Sequence, residues 1–163
     1  TCLKPLAGYL LDLLIIWWAT SWAPCSSQGS RPSPGIVGPE SGINVTAAVM
    51  VDGKMGDSYL SLFLLGILCN ICIFIAVNGY AKNPHQLGKY LALFLGVTVF
   101  IVSGMEHSVA DMYYWSVSGA LWAAGESLLR LVVISLGNVV GGVFFPVVEA
   151  WKAKLEAVKA EVT

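Results

Sequence analysis

Charge is what this sequence has least of. Only 12% of its 163 residues are Asp, Glu, Lys or Arg, against about a quarter in an ordinary soluble domain. Hydrophobic residues make up 56%, and mean hydropathy is +0.73. A soluble globular reading is therefore excluded. A basic surplus is also missing. The formal net charge of −1 leaves no positive surface for phosphates and argues against a nucleic-acid partner. Cysteine occurs four times. Cys69 and Cys72 form a C-x-x-C inside an apolar run, with no second ligand pair to follow, so packing within a membrane helix is preferred to a metal or redox pair. No metal or other cofactor is expected. An initiator methionine is absent as well: the chain starts at Thr1, which suggests a processed chain or a piece of a longer one.

What the sequence does have is apolar runs. Pro5–Pro24 is apolar but interrupted by Asp12. It is compatible with a span, an interfacial helix rich in Trp17, Trp18 and Trp22, or a signal-peptide core. Cys25–Gly42 is rich in Pro, Gly and Ser and reads as a linker. The Asn-x-Thr triplet at Asn44 fits a glycosylation sequon, a pattern common by chance. Tyr59–Val77 and Leu131–Val148 carry no charge, and each approaches the ~20 residues that cross a bilayer. Between them, Tyr90–Met105 is too short to cross comfortably, and "MYYWSVSGALWAAG" is interfacial in character. The last residues, "EAWKAKLEAVKAEVT", form an amphipathic tail.

Lysine and arginine placement sets the orientation. The loop with Lys82 and Lys89 and the tail with Lys152, Lys154 and Lys159 are expected on the cytoplasmic side. Residues 112–129 contain no Lys or Arg and are expected outside. The runs within 90–125 must then amount to one crossing made of two pieces. The break falls in "SGMEHSVADMYY", Ser103–Tyr114, which sets Glu106, His107 and Asp111 close together. Irregular backbone at membrane depth is tolerated where it lines a cavity or is buried in protein. Ionisable groups there usually mark a path for ions or protons.

His107 is read as a functional donor in preference to a space-filling core histidine. Glu106 either holds freed N–H groups at the break or faces the pathway. Asp111, four residues after His107, shares a face with it if the backbone is helical. A metalloprotease reading fails, because H-E-x-x-H is absent and Ser103 stands where H-x-x-E-H needs its first histidine. Gly137-x-x-x-Gly141 lets helices approach closely, and Asn138 is placed to bond a partner helix or the broken segment.

Three segments in register, "GILCN" (Gly66–Asn70), "SGMEHSVADMYY" and "LGNVVGG" (Leu136–Gly142), resemble the formate/nitrite transporter family. Its segments read roughly G-I-L-x-N, S-G-x-E-H-S-x-A-N-M and G-N-x-x-G-G. The resemblance covers about residues 47–152. It implies an all-α multi-pass membrane protein, an aquaporin-like helical bundle of this type, here partial and with one broken helix. The family's protomers have six spans in an inverted repeat and assemble as pentamers, each protomer with its own pore for small monovalent anions such as formate or nitrite.

By position, His107 matches the pore histidine, Lys54 the vestibule lysine, and Phe100 and Ile73 the constrictions on either side. Asp111 stands in the same pathway where the family usually has asparagine. Glu106, Ser108, Asn70 and Asn138 are read as structural support. Ser116, Arg130 and Val133 also depart from the family's pattern. Residues 1–46 contain nothing like the first three spans, which implies the C-terminal half of a channel, as a fragment or truncated product.

The expected map is an apolar segment of open role at 1–23, a linker at 24–46, the transporter half at 47–152 and a cytoplasmic tail at 153–163. The expected function is a channel, not an enzyme, with anions, protons and the lipid bilayer as partners and a homo-pentamer as the full-length assembly. The rival readings are a truncated, non-transporting packing module and a membrane enzyme using Glu106 and His107.

Overall fold

A computed structural model describes Leu11, Ile15, Ala19, residues 42–118 and residues 125–162. Apart from the three isolated positions, which are helical, the described residues form five helices: α1 (Gly42–Gly56), α2 (Tyr59–Lys82), α3 (Gln86–Val102), α4 (Ser108–Val117) and α5 (Gly125–Val162). No strand occurs among the described residues. The helices group into two compact units. One holds α1, α4 from Val109 and the first turns of α5 to Leu131. The other holds α2, α3, the segment between α3 and α4 through Ser108, and α5 from Val132.

In the second unit, helix boundaries follow local chemistry. Ser58 caps α2, its Oγ accepting from the Ser61 amide at 3.2 Å. Asn83-Pro84-His85 ends it: Asn83 is extended, as a residue before proline tends to be, and its Oδ1 accepts from the His85 amide at 2.9 Å. The turn folds α3 back along α2, and small residues close the gap. A Cβ at Gly79 would lie 2.9 Å from Ala92, and one at Gly96 would strike Ala76.

Helix α5 packs on the same α2 by the same device. A Cβ at Gly137 would run into the Phe63 carbonyl, one at Gly141 into the Ile67 carbonyl, and one at Gly66 would come within 2.9 Å of the Ile134 carbonyl. Contacts advance together along both helices, from Phe63 with Gly137, through Phe74 stacked on Phe145 at 5.2 Å, to Lys82 with Glu149 at 3.8 Å. Helices α2 and α5 therefore run parallel.

The outer faces are apolar. Leu60, Leu64, Leu68 and Ile75 of α2 and Phe94, Leu95 and Ile101 of α3 are exposed, and α3 buries no residue. Such surfaces require an apolar surrounding. Helix α5 has 38 residues, roughly 57 Å at the usual rise, nearly twice a hydrocarbon core of about 30 Å. Its charge-free run ends at Val148, and charged residues recur from Glu149. Both α2 and α5 are long and apolar enough to cross a membrane.

In the first unit, α1 buries Ala47 and Val51, one turn apart, and Met112, Trp115 and Leu131 are fully buried. Helix α1 starts at Gly42, so residues 42–46 are helical and not part of the linker assigned to 24–46. The Pro-rich composition stops before "INVTAAVMV", whose Ala47 and Val51 provide an inward stripe. The assignments for residues 1–23 and for the rest of the linker lie outside the described residues, apart from three helical positions.

Candidate functional site

The break after α3 is a closed structure, not a loose loop. Gly104 adopts φ +64°, a conformation open to glycine and costly for other residues. The Met105 amide bonds the Phe100 carbonyl at 3.0 Å, and the Gly104 amide bonds that of Ile101 at 3.1 Å. This pair of bonds is the Schellman arrangement, which satisfies the last carbonyls of a helix. The signal lay in the quoted stretch, a glycine just past an apolar helical run.

The far side of the break is held by Asn138, buried in α5. Its Oδ1 accepts from the Ser108 amide at the start of α4, at 2.9 Å. Its Nδ2 donates to the Glu106 carbonyl at 2.8 Å and to the Gly66 carbonyl at 2.9 Å. The Asn70 side chain donates to the Asn138 carbonyl at 2.6 Å. One amide side chain thus ties the break to α2 and α5. It fits there because Gly66 leaves room: a Cβ at Gly66 would lie 3.1 Å from Nδ2.

Between the Gly104 turn and the Asn138 clasp stands His107. It is partly buried, and its ring stacks on Phe100 at 5.6 Å between centroids. Glu106 and Ser108 on either side of it are buried. Ile73 lies on α2, three residues beyond Asn70, and is partly buried. The structure thus brings together Phe100, His107, Glu106, Ser108, Asn70 and Asn138 within one unit.

Lys54 and Asp111 form a second cluster, in the other unit. Lys54 Nζ lies 3.0 Å from Asp111 Oδ1, with side-chain exposures of 14% and 2%. Sequence reading had considered Asp111 as a neighbour for His107; the structure gives its carboxylate a lysine. Arg130 completes the cluster. Its Nη1 donates to the carbonyls of Lys54 at 2.9 Å and Asp57 at 2.5 Å, while Nη2 pairs with Glu126 at 2.9 Å. Arg130 therefore caps the C-terminal end of α1, the helix that carries Lys54. Sequence reading noted Arg130 only as a departure from the family, and no local pattern connects it to a helix end over seventy residues earlier. Among the described residues no group of His, Cys, Asp and Glu is arranged to hold a metal ion.

The model of a family described as formate/nitrite transporter matches residues 7–152. The chain belongs to the formate/nitrite transporter family. An uncharacterized transporter of Saccharomyces cerevisiae is 30% identical over 160 residues, covering 91% of this chain and 25% of that protein. The formate channel FocA of Escherichia coli is 25% identical over 162 residues, covering 84% of this chain and 51% of its own length. Among solved structures, a pentameric formate channel with formate bound matches with a TM-score of 0.57 and 27% identity, over 69% of this chain and 52% of that one. The chain spans about half of the length of two of these relatives and a quarter of the third.

The match begins at residue 7, forty residues before the stretch to which the motifs pointed, so the extent of the resemblance, expected to cover about residues 47–152, is corrected to 7–152. An apolar run without a motif shows likeness only when many positions are summed.

Family members are integral membrane transporters. With α2 and α5 as parallel spans of such a protein, the intervening chain must recross the bilayer an odd number of times.

Proposed function

We propose that this chain supplies the histidine-bearing part of a channel for small monovalent weak-acid anions, formate and nitrite foremost. The observation that carries the reading is His107, held in non-helical backbone between the Gly104 turn and the Asn138 clasp, with its ring against Phe100. A bare anion in an apolar constriction bears a heavy desolvation cost. A donor at that point offsets part of it, and an imidazole can share a proton, so that the weak acid crosses nearly neutral. Phe100 and Ile73 form the constrictions. Glu106, Ser108, Asn70 and Asn138 hold the break in shape. The likeness to a pentameric formate channel supports a homo-pentamer with one pore per protomer.

The Lys82–Glu149 contact sets the Lys82/Lys89 turn beside the start of the basic tail. Under the positive-inside trend this favours a cytoplasmic C-terminus. The segment matched to the family ends at residue 152, and residues 153–163 are the tail.

The test is formate and nitrite flux into liposomes carrying the full-length protein. His107→Phe is expected to abolish flux while the oligomer stays intact. Unchanged flux would remove His107 from the pathway. Flux absent from wild-type protein would favour the alternative, a membrane module that packs without transporting; the neutralised Lys54 is the observation on its side.

A further inference from the structure

Each buried charge among the described residues of the first unit has an opposite partner, although Glu126 is itself half exposed. Lys54 meets Asp111 at 3.0 Å, and Arg130 meets Glu126 at 2.9 Å. Lys54 lies in the last turn of α1 and Asp111 in the first turn of α4, so each charge sits at the helix end that suits its sign. Both side chains are largely withdrawn from water, where solvent and salt screen little. At 3.0 Å the mutual field of the pair dominates for each partner. An approaching anion then meets a dipole in place of a single positive charge, and the attraction of a dipole falls off faster with distance. Arg130 keeps the pair in place by holding the Lys54 and Asp57 carbonyls.

We propose that Asp111 sets the apparent anion affinity of this chain: by neutralising Lys54 it lowers the attraction for monovalent anions and sets a high half-saturating concentration. Arg130 acts through Lys54 as a positioning residue. The inference rests on the transport reading above, since it concerns how strongly that pathway gathers its anion.

The test measures formate flux against concentration, at low and high ionic strength, for full-length protein in liposomes. Asp111→Asn keeps the shape of the side chain and its ability to accept from Nζ, but leaves Lys54 with a net positive charge. Its half-saturating concentration is expected to fall about 3- to 10-fold at low salt, and the gain to shrink at high salt, as for any steering charge. Lys54→Gln is expected to raise it. The double variant is expected to return to within about 2-fold of the starting value, the non-additivity of a directly coupled pair.

An assembled Asp111→Asn protein with unchanged concentration dependence overturns the inference and leaves the channel reading standing. Absence of flux from wild-type protein overturns both. Should Asp111→Asn fail to assemble, Lys54→Gln decides: a raised half-saturating concentration supports the inference and an unchanged one defeats it. Salt dependence separates this role from a structural one, because a misfolded site loses maximal rate at every ionic strength.

Discussion

The clasp around the break and the ionic cluster at the end of α1 solve one problem with opposite chemistry. Each must satisfy backbone groups that a helix end leaves open. At the break, Asn138 and Asn70 do so with neutral amides, each Asn138 bond between 2.8 and 2.9 Å. At the end of α1, Arg130 does so with a guanidinium that then requires Glu126. A neutral amide can donate and accept at once and, once hydrogen-bonded, carries a much smaller desolvation cost than a charge. It can therefore hold buried backbone without imposing the field of a full charge on its surroundings. A charged cap cannot, and the carboxylates of Glu126 and Asp111 confine the field where it is used.

The comparison is broken most severely at Asn138. Asn138→Ala removes the bonds to the Glu106 and Gly66 carbonyls and from the Ser108 amide together, and about 3–5 kcal/mol of stability is expected to be lost. Thermal unfolding of the detergent-solubilised oligomer would show it; a shift within error would mean that the break holds itself. Arg130→Gln comes next. It removes the charge and one of the two carbonyl contacts, for about 1–3 kcal/mol, and Arg130→Lys is expected to rescue little, because an ammonium lacks the planar fork. Full rescue by lysine would show that charge alone suffices there. The smallest effect belongs to Lys82→Ala. Its partner lies at 3.8 Å and both side chains are mostly exposed, so the change should stay within about 0.5 kcal/mol. A larger loss would show that the turn after α2 is anchored through that pair.

Much of this was legible beforehand. The two charge-free runs became α2 and α5, and the quoted stretch after the third run became the break. The small residues of "LGNVVGG" became the surface on which α5 meets α2, since spacing by four is itself a geometric property of a helix. The start of α1 was misjudged because its Pro, Gly and Ser neighbours masked a short stripe of only two buried residues, Ala47 and Val51. Arg130 was missed because its partners, the carbonyls of Lys54 and Asp57, have no side-chain signature. Asp111 was visible as an oddity, but its partner was not: proximity in sequence pointed to His107, and the ion pair joins residues far apart in the chain.

By itself, the sequence determined the membrane environment, the number and order of the apolar segments, and the position of the break with its histidine. These depend on hydropathy and on residues within a few positions of one another, where the chain's own covalent geometry sets the distances. Only the tertiary structure decided that Asn138 closes the break and that Lys54 is matched by Asp111. Those outcomes depend on close approach between distant segments, which glycines permit but do not direct, and on charges that choose a partner only once burial has removed water as the competitor.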